Sequence, residues 1–106
     1  MKFRGGMSEL MKQANRLQRK IEQRKKELET ETVSAAAGND KVEAIVNCAG
    51  ELVRIEIDPE LLHSEGLEMV QDLVVAATNS ALKKARETVD SEVEKLTGGL
   101  KLPGMS

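Results

Sequence analysis

The sequence predicts an α+β protomer, helix-strand-strand-strand-helix, in which a small antiparallel three-stranded sheet lies between two long helices. Three observations predict it. Apolar residues return at heptad spacing from Met7 to Leu28. Three short runs between Glu31 and Asp58 alternate apolar and polar side chains. A second helical pattern then extends from Leu67 to about Leu96.

In the first helix Met7, Ala14, Ile21 and Leu28 recur every seven residues, and Leu10 and Leu17 follow the first two by three. That a/d pattern marks a helix that pairs along its length. The next d position is Arg24, so the seam weakens toward its end. Gly5-Gly6 predicts a breaker after a short basic lead, and Ser8 is the expected cap, with Glu9 near the positive end of the helix dipole. The β-branched Thr30, Thr32 and Val33 mark its end.

The first strand, Glu31 to Ala36, is low in bulk, and Gly38-Asn39-Asp40 is a turn. In the second, Lys41 to Cys48, the residues Val42, Ala44, Val46 and Cys48 share one side, and Ile45 is the exception on the polar side. Ala49-Gly50 turns the chain into Glu51 to Asp58, with Val53, Ile55 and Ile57 expected inward and Arg54, Glu56 and Asp58 outward. Strands in meander order make an antiparallel sheet with one wet face. Pro59 ends the third strand. Glu60 to Gly66 reads as a connector that tucks Leu61 and Leu62 under the sheet, and Ser64 as the cap of the second helix. From Met69 to Ala77 only Gln71 and Asp72 are strongly polar, which predicts burial nearly all round. Beyond Ala81 the apolar stripe narrows to Ala81, Ala85, Val89, Val93 and Leu96. Gly98-Gly99 stops the helix. The whole, residues 1–106, reads as one domain, with residues 1–6 and 98–106 expected to be flexible.

The core must be thin. Phe3 is the only aromatic residue among 106, with no Trp or Tyr. A small domain with few large side chains gains little from burial, and a heptad seam needs a partner, so an obligate two-fold dimer is expected. The net charge of −2 hides an asymmetry. Residues 1–26 hold nine basic side chains against Glu9 and Glu22, so the remaining chain carries an acidic excess of nine. Cys48 is the only cysteine, which excludes an intrachain disulfide and a Cys-rich metal site. The chain lacks a run long enough for a membrane span and an apolar signal core, so a soluble cytoplasmic protein is expected.

The basic residues are patterned. Lys12, Arg16, Arg19 and Lys26 follow one another on the face opposite the seam, with Lys20, Arg24 and Lys25 beside them. A helix from Met7 to Leu28 is about 33 Å long, close to one turn of duplex DNA. Lys and Arg on one face neutralise phosphates and release condensed counterions. The bland alternative is a solvated coiled-coil face, but such faces interleave both signs, and only Glu22 interrupts the bases between Lys12 and Lys26. Lys12, Arg16, Arg19, Lys20, Arg24 and Lys26 are therefore the expected phosphate contacts. Lys83 and Lys84, with Arg86, form a second and weaker candidate, because Glu87 and Asp90 lie within a turn. Base-reading side chains are sparse, so low sequence preference is expected.

Enzyme chemistry is not expected. The chain has no Ser/His/Asp or Cys/His set, no GxGxxG, no P-loop and no HExxH. His63 stands alone in a connector, and the chain's many carboxylates lie on solvent faces without an apolar pocket to tune them. No cofactor, metal or small-molecule substrate is expected. The rival class is a protein-binding module of prefoldin-like or coiled-coil adaptor type. The charged distal helices speak against it, whereas exposure of Met7 and Met11 would speak for it.

Several segments together resemble the YbaB/EbfC nucleoid-associated proteins of bacteria. They are Leu10-Met11-Lys12-Gln13-Ala14, Val53-x-x-Glu56-Ile57-Asp58-Pro59-x-Leu61-Leu62, Asp72-Leu73-Val74-x-Ala76-Ala77-x-Asn79-x-Ala81 and Gly98-Gly99-Leu100-x-Leu102-Pro103-Gly104. The similarity covers nearly the whole chain. It implies an intertwined homodimer whose helical arms grip double-stranded DNA like tweezers, located at the nucleoid and without enzymatic activity. The turns Ala37-Gly38-Asn39-Asp40 and Ala49-Gly50 depart from the family's Gly-rich and Asn-Gly forms.

Overall fold

The computed structural model describes residues 3–98, with side chains from Gly6 onward. Five elements follow one another: α1 (Phe3–Leu28), β1 (Thr32–Ala37), β2 (Val42–Asn47), β3 (Leu52–Ile57) and α2 (Pro59–Thr97). The sheet is an antiparallel meander in the order β1-β2-β3. This is the predicted α+β architecture. The protomer is a rod of 76 × 19 × 16 Å with a radius of gyration of 20.3 Å. A compact chain of this length would have a radius near 13 Å, so much of the molecule lies outside any core.

The core sits where α2 crosses β1 and β2. Val42, Ala44 and Val46 of β2 are fully buried, and Leu61, Val70, Ala77, Ala81 and Ala85 of α2 pack onto them. Alanines at the crossing let helix and sheet approach closely. Ile45, on the far face between Ser34 and Arg54 of the flanking strands, is also buried. Gly38, Asn39 and Asp40 all have positive φ, and the N–H of Lys41 donates to the Gly38 carbonyl at 3.1 Å. A Cβ on Gly38 would lie 2.7 Å from Leu73 Cδ1, so the Leu73 side-chain end would have to move aside, and the φ of +64° favours glycine. In the second turn Asn47 Oδ1 accepts from the N–H groups of Ala49 and Glu51.

Several expectations need correction. The helix runs through Gly5-Gly6 to begin at Phe3, so Ser8 and Glu9 are interior and cap nothing. The strand β3 is not buried: Leu52, Val53 and Ile57 are exposed and only Ile55 touches the core. It is an edge strand, α2 barely reaches it, and a bulge opposite Ile45 and Val46 leaves Val53 without a partner residue. Asp58 and Pro59 do more than end it. Asp58 is the N-cap of α2, its carboxylate accepting from the Glu60 N–H, and Pro59 occupies the first turn. The stretch read as a connector is thus helical, and Ser64 donates to the Leu61 carbonyl instead of capping. The break falls at Gly66, whose φ of 84° and ψ of 169° interrupt the helix. Leu61 is buried, but Leu62 is exposed. The stretch from Met69 to Ala77 is buried on one side only, with Met69 and Val75 open to solvent. Gly98 closes α2 in the left-handed conformation, its N–H donating to the Glu94 carbonyl. The expected terminal motif from Gly99 onward, and the lead before Phe3, lie outside the described residues.

Candidate nucleic-acid interface

Among the described residues, α1 meets the rest of the protomer near its C-terminal end. Lys84 Nζ donates to the Ser34 carbonyl at 3.1 Å, while eight residues further along α2 Glu92 accepts from Arg24. As α2 advances, its neighbours step back from β1 into α1, so the two helices are antiparallel. Ile21 and Leu28 of α1 and Val93 and Thr97 of α2 are buried where they meet. Thr97 ends α2 five residues past Glu92. Antiparallel packing brings that end level with about Arg19, so the α1 residues before it extend as an arm.

The arm has two faces. At about 100° per residue, Lys12, Arg16, Arg19 and Lys26 fall within an arc of about 80°, which Lys20 widens to about 120°. The seam of Met7, Leu10, Ala14, Leu17, Ile21 and Leu28 is centred opposite. Lys12, Arg16, Arg19, Lys20 and Lys26 are all exposed and form no ion pair with any described residue. A row of unpaired cations along a rod suits a linear polyanion. The seam divides sharply: Ile21 and Leu28 are buried, whereas Met7 and Leu10 are 63% and 65% exposed, as is Met11 beside them at 64%.

Arg24 departs from the other candidates. Its Nη2 and Nε donate to Glu92 Oε1 at 2.7 and 3.0 Å. Its Nη1 donates to Glu27 Oε1 at 3.2 Å and Glu31 Oε2 at 3.3 Å. Its d position on the seam turns it toward α2, with 30% of the side chain still exposed. Arg24, expected among the phosphate contacts, is thus held by carboxylates within the protomer. The Glu92 hydrogen bond raises the Arg24 pKa above its ordinary value. Lys95, donating to Oε2 at 2.7 Å, and then Arg24 hold the Glu92 carboxyl below the usual carboxylate range.

Lys83 and Lys84 are exposed on α2, as is Arg86. Lys84 is tied to the β1 backbone, and none of the three pairs with Glu87 or Asp90. They lie level with the sheet, so the two basic groups occupy successive lengths of the rod. Cys48 is partly buried at the end of β2, where burial pushes its thiol pKa up. Among the described residues no group of three or more His, Cys, Asp or Glu side chains is placed to hold a metal ion. No helix among them is long and apolar enough to cross a membrane.

Comparison with known proteins agrees with this geometry. The model of the YbaB/EbfC DNA-binding family matches residues 3–100. A nucleoid-associated protein of Clostridium kluyveri is 46% identical over 101 residues, which span 95% of this chain and 89% of that one. One from Pelotomaculum thermopropionicum is 44% identical over 101 residues, spanning 95% and 96%. An uncharacterized protein of Helicobacter pylori, solved by crystallography, shares the fold with a TM-score of 0.68 at 23% identity, over 86% of this chain and 96% of that one. A match over nearly every residue, with relatives this similar along their length, means that the chain belongs to the YbaB/EbfC DNA-binding family.

Proposed function

We propose that the protein binds double-stranded DNA as a homodimer, with low sequence preference, through the cationic faces of its α1 arms. The observation that carries this reading is the row Lys12, Arg16, Arg19, Lys20 and Lys26, exposed and without an ion pair among the described residues, on one face of α1. Lys83 and Lys84 extend the contact toward the sheet. No element is shaped to read base edges, so phosphate contacts and groove shape dominate. The protein would reside on the nucleoid in the cytoplasm and influence gene expression through occupancy. Homodimerisation is supported by the apolar side chains left uncovered on β3 and the first half of α2: Leu52, Val53, Ile57, Leu62, Leu67 and Val75. Sedimentation at micromolar concentration is expected to give twice the chain mass.

The test is a salt series with a random-sequence duplex. With about six phosphate contacts per dimer, affinity falls roughly a thousandfold between about 50 and about 200 mM salt. Arg16→Glu/Arg19→Glu abolishes measurable binding with the thermal melt unchanged. Absence of wild-type binding at low salt would reduce the stripe to a solvated face. One observation favours a second reading as a protein-binding module: Met7, Leu10 and Met11 are exposed on the arm. That reading predicts suppression of aggregation of an unfolded client, unaffected by the Arg16→Glu/Arg19→Glu pair.

A further inference from the structure

We infer that Arg24 and Glu92 form a clamp that sets the angle of the α1 arm, so that Arg24 acts in DNA binding as a positioning residue and not as a phosphate contact. The inference rests on the DNA-binding reading above. Arg24 joins three parts of the chain through its ion pairs: Glu27 on α1, Glu31 just before β1 and Glu92 on α2. Glu92 is engaged on both oxygens, one by Arg24 and the other by Lys95. Five donor positions on one planar guanidinium make Arg suited to such a junction. The buried apolar side chains of α1, Ile21 and Leu28, stand one turn to either side of Arg24, so it lies at the middle of the contact between α1 and α2.

The arm acts on this contact as a lever. Lys12 is twelve residues from Arg24, about 18 Å along the helix. A tilt of about 10° at the clamp moves Lys12 by about 3 Å, the length of a hydrogen bond. Spacing between the stripes of two arms is therefore sensitive to this single junction. The charge balance favours the same role. Three carboxylates surround Arg24, so phosphate approaching it would meet local negative charge.

The two roles give opposite signs for Glu92→Gln. If Arg24 were a phosphate contact, or Glu92 merely a repulsive charge, removing that carboxylate would tighten DNA binding. A clamp predicts weaker binding by both Arg24→Gln and Glu92→Gln, roughly fivefold each, the scale on which an exposed ion pair biases an orientation. The double variant should be no weaker than either single one. The slope of log affinity against log salt should stay at the wild-type value, because it counts phosphates, whereas loss of one phosphate contact from each protomer of the dimer lowers it by about 1.8. Tightening by Glu92→Gln, or a shallower slope for Arg24→Gln, would overturn the inference. A readout without DNA separates its failure from that of the functional reading. Spin labels at Gln13→Cys and Ser91→Cys, in a Cys48→Ser background, should show a distance distribution that broadens when Glu92→Gln is added. An unchanged distribution would overturn the clamp even if DNA binding holds. Absence of wild-type DNA binding with a broadened distribution would instead overturn only the functional reading.

Discussion

The sheet-and-α2 half of this protomer and its α1 arm are built on opposite terms. In the first, eight small or medium apolar residues are almost wholly enclosed, and alanines at 44, 77, 81 and 85 bring the backbones close. In the second, each residue from Gly6 to Arg16 is exposed. One half supplies the free energy of folding and the other supplies the charge. A stretch of helix such as Gly6 to Arg16, exposed throughout, is free to be chosen for its surface, while the core beneath α2 is not. The heptad seam runs through both regimes, and its two ends have different physical meanings despite identical spacing.

That contrast can be broken by experiment. The largest effect is expected at Leu28→Ala, which empties a fully buried site and should lower stability by about 2–5 kcal/mol in chemical denaturation. Next comes Ala81→Leu, where the added atoms have no space between α2 and the sheet; a loss of about 1–3 kcal/mol is expected, with the far-UV signal retained. The smallest is Leu10→Ala, at the other end of the same seam, expected to stay within about 0.5 kcal/mol of wild type. A loss at Leu10 as large as at Leu28 would erase the distinction and show that another chain covers the arm.

The elements were legible because periodicity reports them directly. Alternation exposes a strand, and a heptad exposes a helix face. What periodicity does not report is whether a face is covered. Val53 and Ile57 carry an inward pattern, yet among the described residues they are 51% and 37% exposed. Met69 and Val75 made an all-round apolar run that is covered on one side. Local breakers misled for a related reason. Gly5-Gly6 disfavours helix, but α1 continues through it. Asp58-Pro59 reads as the end of a strand, and its acid followed by Pro and Glu60 is equally a helix start, which is what the chain uses. For the interface, the cationic stripe could be drawn from residue spacing, since the arm is a plain helix. The diversion of Arg24 could not, because Glu92 lies 68 positions away and only the fold brings it near.

The break at Gly66 carries a consequence of its own. Its φ of 84° and ψ of 169° belong to a region that glycine alone occupies without strain. A Cβ there would meet no atom within 4 Å, so space would admit a side chain and conformation would not. One hydrogen atom in place of a methyl thus decides whether residues 59–97 form one straight helix or two segments with separate directions. The bend leaves the short leading segment free to drop Leu61 onto the sheet while the long segment follows its own path toward Glu92. The direction in which the α2 end meets the arm is therefore written partly at a residue that touches neither.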